Sequence, residues 1–247
     1  MRYTLHVING SHPCAAVLRA MELKGIDVKP VEYSPPFHAP ILQVRFGYRR
    51  VPILVIPGGE TVRGSRQIMQ RLEAIQPYPQ LYPNDRIAAI EAAERWGDTV
   101  LQVASRRLLW AAVRGNPRAL ASFQAGSHLP RIPATVMRVA GLVVAAGEYR
   151  LNGITSANVE EHVASIPGYL DKLDEFNADG AFGTGTPTGA DLQIGSSLQL
   201  LRAIEDLRPL IDAHPIAREI ARWLPTSPGS VPAGALPKEL VALAING

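Results

Sequence analysis

A chain of 247 residues, 47% hydrophobic and 19% charged, has the composition of a globular protein and the length for one large domain or two smaller ones. Its net charge of +3 is scattered with no basic block, which argues against a nucleic-acid partner, and no apolar run reaches the ~18–20 residues of a membrane span. The single cysteine, Cys14, excludes an internal disulfide and fits a reducing cytoplasm.

Residues 3–8 alternate apolar and polar, the pattern of a strand rather than of a signal peptide. Gly10-Ser11-His12-Pro13-Cys14 then turns into a helix over 13–24, with Pro13 in the first turn and Gly25 as the stop. Val28 to Tyr33 is a second strand, and Pro30 inside it predicts a sheet edge. Strand, helix and strand in this order predict a parallel βαβ unit. Residues 41–46 suggest a short or irregular helix. Val51 to Ile56 is an apolar strand, turned by Pro57-Gly58-Gly59 into Glu60-Thr61-Val62 as a hairpin. Gly64-Ser65 opens a helix through Ile75.

Three prolines, Pro77, Pro79 and Pro83, break the chain next. Everything beyond reads as helical. Asn84 is placed to cap a helix from Asp85 to about Val113, and further helices are predicted at about 117–124, 132–147, 157–177, 189–205 and 214–224. Thr188-Gly189-Ala190-Asp191 fits a capping box with Asp as its acid. A last short helix is expected near Pro237–Leu240, after a tail rich in Pro, Gly and Ser. The predicted fold is α/β plus all-α: a small domain over 1–78, a linker over 79–84 and a helical domain over 85–247.

This order of motifs resembles the cytosolic glutathione S-transferase superfamily. Four places carry the resemblance: Gly10 to Cys14 with Leu23-Lys24-Gly25-Ile26, Arg50-Val51-Pro52-Ile53-Leu54, Thr61 to Ile68, and Thr188 to Asp191. It implies a thioredoxin-like βαβ–ββα domain followed by a helical bundle, and a homodimer. It also implies glutathione or another small thiol as co-substrate, activated for attack on a hydrophobic electrophile. By the same resemblance Pro52 is cis, Ser11 is the catalytic hydroxyl, and Ser11, Val51, Pro52, Gly64 and Ser65 hold the thiol. One departure stands out: the family has an acid where this chain has Gly64, so the amine of a γ-glutamyl group lacks its usual partner.

The residues themselves carry several readings. A hydroxyl at a helix start, among unpaired N–H groups, stabilises a thiolate and so lowers a bound thiol's pKa. Ser11 is equally a common helix cap and nothing more. Ser11-x-x-Cys14 has the spacing of a Cys-x-x-Cys motif, so Cys14 is a candidate for thiol–disulfide exchange or, more blandly, a small buried hydrophobe. His12 is a candidate cation beside the thiolate or, more blandly, a side chain that points to solvent or lines the cleft. Trp96, Val103, Arg107 and Trp110 recur at helical spacing as a candidate pocket for the second substrate, with ordinary core as the alternative. Arg49, Arg50, Arg63 and Arg66 flank the thiol elements and suit a ligand carboxylate. No metal-ligand spacing is present. Three functions therefore compete: a thiol-activating transferase, a non-catalytic ligand-binding or assembly protein of the same fold, and an oxidoreductase working through Cys14.

Overall fold

The computed structural model describes residues 2–35 and 37–246. Strand β1 (Tyr3–Val7), helix α1 (His12–Leu23) and strand β2 (Val28–Glu32) form the expected parallel unit, with Tyr3 opposite Val28 and Val7 opposite Glu32. Helix α2 (His38–Phe46) starts earlier than the sequence pattern indicates. Strand β3 (Ile53–Val55) runs antiparallel to β1, and β4 (Thr61–Arg63) antiparallel to β3, in the order β2-β1-β3-β4. Pro30 thus lies on an edge strand, where its missing N–H costs no ladder bond. Helix α3 (Ser65–Ile75) completes the first domain. Alternating residues of the sheet meet helical faces at i, i+3 and i+4, so Leu5, Leu54, Val17, Met21, Ile68 and Leu72 are fully buried. Each contributes about 1.5–3 kcal/mol relative to exposure.

The second domain departs from its predicted outline in five places. Asn84 caps nothing; helix α4 (Ile87–Trp96) begins after Arg86 with no side-chain cap. The long predicted helix is interrupted by a π turn, Gly97–Leu101, before α5 (Gln102–Gly115). Residues 117–124 form a 3₁₀ segment rather than an α-helix. Then come α6 (Ala134–Asn152), α7 (Ser156–Ala164) and α8 (Ile166–Ala178). Pro167 in the first turn of α8 divides what the pattern joined, because proline lacks the N–H that would continue α7. Helix α9 (Gly189–Arg202) is buried along nearly its whole length and packs against α1, α3, α4 and α5. Its Thr188 capping box forms as expected: Thr188 Oγ1 accepts from the Asp191 N–H at 3.3 Å, and Asp191 Oδ2 accepts from the Thr188 and Gly183 N–H groups at 2.8 Å. Short helices α10 (Arg208–Ala213) and α11 (Pro215–Ala221) replace the single one expected at 214–224, and α12 (Lys238–Asn246) packs on α7 and α8. Of the described helices, none is long and apolar enough to cross a membrane.

The linker is fixed rather than loose. Lys24 Nζ, fully buried, donates to Glu73 Oε2 at 2.5 Å and to the carbonyls of Gln76 and Pro79 at 2.7 and 2.9 Å. Glu73 in turn accepts from the Leu81 N–H at 3.1 Å. Tyr82 lies so close to α9 that a Cβ at Gly189 would stand 2.6 Å from its ring. The Tyr82 hydroxyl donates to Glu94 Oε1 at 2.5 Å, and Arg66 Nε donates to Glu94 Oε2 at 3.2 Å. First domain, linker and second domain therefore meet at one buried carboxylate.

Burial pushes the Glu94 carboxyl up to about 7, against the lowering effect of Tyr82 and Arg66. Between its ordinary 4.5 and about 7 the folded chain holds a proton that the unfolded chain has lost. Stability therefore falls as pH rises through that window. Asp191, pushed up to about 6 by burial, acts in the same direction. Urea unfolding should show the protein more stable at pH 5 than at pH 8, and Glu94→Gln should remove on the order of 1–3 kcal/mol of that difference. A pH slope unchanged in the variant would show that Glu94 does not titrate in this window.

Candidate active site

A cavity of about 720 Å³ lies between the two domains. Ser11, Val51, Pro52, Gly64 and Ser65 all line it, so the turns that are far apart in sequence meet on one wall. Ser11 is the N-cap residue of α1, but its side chain makes no capping bond. Ser11 borders the cavity, and its side chain is near enough to the Cys14 thiol to lower that thiol's pKa. The Val51–Pro52 peptide is cis. Among the described residues, the Val51 N–H and C=O take no main-chain partner, which leaves them available to an extended ligand.

Ser65 is buried at the start of α3, where the first-turn N–H groups face outward without helical partners. Gly64 before it has φ +82°, a backbone state that side chains disfavour. The Gln67 Oε1 stands 2.7 Å from where a Cβ on residue 64 would be. The missing acid thus has a neutral acceptor in its place. Asp98, from the π turn, borders the same cavity and senses Arg66 on α3 as well as Arg106 and Arg50. Burial holds its carboxyl above the usual range.

Three sequence expectations need correction here. Cys14 is 2% exposed, and burial pushes its thiol up to about 11, opposed only in part by Ser11. Such a sulfur is protonated at neutral pH, the reverse of an exchange-active thiolate. His12 is not a cation. It is buried, with Nε2 lacking a partner, and burial together with Arg106 holds its pKa well below 6.5. Of the predicted pocket residues, Val103 and Trp110 line the cavity, whereas Trp96 and Arg107 do not. Trp96 packs between Tyr169 and Phe176, with ring centroids 6.0 and 5.6 Å away. Arg107 donates to the Asn152 carbonyl at 3.3 Å and is bonded to His162 Nε2 at 3.1 Å.

The π turn explains why Trp96 does not share a face with Val103 and Trp110. It inserts about one extra residue into the helical repeat and so rotates the residues after it by roughly 100° relative to Trp96. The side chains that border the cavity from α5 are therefore Gln102, Val103, Arg106, Leu109 and Trp110. Arg106 is the residue that sequence reasoning missed. Its signal was one position away, and only the phase of the helix separates it from Arg107. Burial and the nearby Arg50 push Arg106 down to about 10, so it stays charged at neutral pH. Of the flanking arginines, Arg50 and Arg63 border the cavity, and Arg66 is taken by Glu94. No group of three or more His, Cys, Asp or Glu suited to a metal occurs among the described residues.

Residues 5–80 match the family model described as glutathione S-transferase, N-terminal domain. The comparison with curated proteins gave no match. Among solved structures, the chain is similar to glutathione S-transferase III in its apo form, at 18% identity over 90% of each chain with a TM-score of 0.61. It is similar to the β-etherase LigF from Sphingobium sp. strain SYK-6, at 18% identity over 90% of this chain and 99% of that one, TM-score 0.59. A glutathione S-transferase from Sinorhizobium meliloti 1021 is 13% identical over 98% of this chain and 99% of that one, TM-score 0.58. At these identities the structural likeness is one of fold. Its first domain thus matches the glutathione S-transferase N-terminal domain model, and the whole chain shares the two-domain fold of these structures.

Proposed function

We propose that the protein binds glutathione, or a small thiol like it, and activates its sulfur for attack on an apolar electrophile. The observation that carries this reading is the meeting of Ser11, Val51, Pro52, Gly64 and Ser65 on one wall, with the Ser11 hydroxyl left out of helix capping. In this reading the Ser11 O–H donates to the sulfur and favours the thiolate, whose proton leaves to solvent. The thiolate then forms a carbon–sulfur bond, and the electrophile loses its leaving group or takes up a proton. Val51 offers its main chain to the cysteinyl part. Ser65 and the start of α3 hold the γ-glutamyl carboxylate, while Gln67 Oε1 and the Asp98 carboxylate receive the ammonium group that Gly64 cannot.

The apolar walls on the helical side, from Leu109, Trp110 and Val144, suit a hydrophobic second substrate. A reducing compartment keeps both the co-substrate and Cys14 as thiols. A second copy of the chain would cover the exposed apolar residues of α2, Ile41 and Val44, and sedimentation at twice 26.7 kDa would show it. The reading through Cys14 is opposed by its burial, and the non-catalytic reading loses its motive if Asp98 replaces the acid.

Calorimetric titration with glutathione should give saturable binding, weakened about tenfold by Asp98→Asn or Ser65→Ala, as for loss of one charge-assisted hydrogen bond. No heat from glutathione or other small thiols would refute the proposal. Ser11→Ala should leave binding within a few-fold and lower turnover about 10–100-fold, with the ultraviolet titration of the bound thiol moved to higher pH. Unchanged turnover would remove Ser11 as the catalyst. Cys14, with about one molecule in a thousand ionised at pH 8, should react with iodoacetamide far more slowly than a free cysteine. Rapid alkylation of the folded protein would reopen the exchange reading.

A further inference from the structure

Helix α6 is apolar on both of its faces. Met137, Ala140 and Val144 border the cavity. On the same inner side a Cβ at Gly141 would stand 2.8 Å from the Pro117 carbonyl. On the opposite face Val136, Val139 and Val143, spaced i, i+3 and i+7, are 53%, 63% and 65% exposed, with Leu142 exposed beside them. Ile132, just before the helix, is exposed too. A helix that is apolar all round is normally covered on every side, and an exposed apolar stripe marks a contact surface.

Charge indicates what covers the stripe. From Thr99 to Gly147 the sequence has six arginines and no Asp, Glu or Lys. That stretch holds α5 and the 3₁₀ segment 117–124, against which α6 packs. The acids that bound it, Asp98 and Glu148, border the cavity instead. Spread thinly in sequence, the cations gather around α6 in the fold. Arg131 precedes its first turn, Arg118 lies in the 3₁₀ segment, Arg114 sits over the Tyr149 ring at 4.7 Å, and Arg150 is in the last turn. All four are exposed, and none forms an ion pair among the described residues.

The complement to this surface is apolar and negatively charged at once. A second copy docked face to face would set the same arginines against each other, because a two-fold contact repeats one patch on both sides. A protein groove draws on aromatic anchors, whereas the stripe has only branched aliphatics. A bilayer with anionic headgroups meets both demands.

We propose that α6 docks on a membrane surface that contains anionic lipid. Val136, Val139, Leu142 and Val143 enter the acyl boundary, and Arg114, Arg118, Arg131 and Arg150 pair with headgroup phosphates and carboxylates. Because the other face of α6 borders the cavity, docking brings that cavity to the lipid surface. Docking itself requires no thiol.

Vesicle flotation of the purified protein, without thiol, tests this. Vesicles of phosphatidylcholine with phosphatidylserine should bind it about a hundredfold more tightly than phosphatidylcholine alone, an advantage that high salt removes. Val139→Asp with Val143→Asp, both outside the cavity, should abolish binding. Arg118→Gln with Arg131→Gln should weaken binding to the anionic vesicles about tenfold. Ile41→Asp with Val44→Asp, on the exposed face of α2, should leave binding intact. No binding to anionic vesicles, or equal binding to both kinds, overturns the proposal, and this wild-type comparison decides even where a variant does not fold. Binding that survives the α6 valine changes also overturns it. A dimer that those same changes split into monomers would assign the face to a second copy instead. Glutathione is titrated separately. Glutathione binding without vesicle binding defeats this inference alone, and the reverse result defeats the thiol reading alone.

Discussion

The structure depends on how its two domains are held against each other. Glu94, fully buried in α4, receives Arg66 from α3 and the Tyr82 hydroxyl from the linker. An isolated buried carboxylate would be strongly unfavourable, so this one holds its place only while both partners reach it. Lys24 and Glu73 anchor the same linker from the other side. These contacts fix the relation of α1 and α3 to α5, and that relation shapes the cavity. A change in the angle between the domains would separate Ser11 and Ser65 from Gln102 and Arg106.

The two sides of the cavity have different physical origins. The first domain presents backbone: turn peptides, helix starts and the Val51 main chain, all suited to a ligand that resembles a peptide. The helical domain presents side chains, mostly apolar, with Gln102, Arg106 and Glu148 buried among them. Backbone recognition is tied to topology and tolerates sequence change. Side-chain recognition depends on which few residues face inward, so specificity belongs to the second wall. Gly64 lies at the junction of these two modes. The backbone there takes φ +82°, and Gln67 and the Tyr48 hydroxyl stand within 4.0 Å of where a Cβ on residue 64 would be.

Much of this was legible in the sequence, and the misses have physical causes. The alternation at Tyr3–Val7, Pro30 at an edge, the hairpin at Pro57-Gly58-Gly59 and the Thr188–Asp191 capping box are local signals, written within a few residues, and each formed as read. Asn84 failed as a cap because a capping residue works only where a helix starts, and that start was set by tertiary packing further on. Trp96 was grouped with Val103 and Trp110 because an even helical repeat was assumed across Gly97–Leu101. A π turn has no distinct sequence pattern, yet it shifts the phase of everything after it.

By itself, the sequence determined the order and type of the elements and brought Ser11, Val51, Pro52, Gly64 and Ser65 into view, because turn and cap chemistry is encoded locally. Tertiary structure alone decided the protonation and the company of those residues. Cys14 and His12 each admit a reactive and a blander reading in the chain, and burial favours the blander one by raising the thiol's pKa to about 11 and holding the ring's well below 6.5. It also decided which arginine borders the cavity. Desolvation and helix phase are properties of the packed molecule, set by residues tens of positions away, and no local window of sequence contains them.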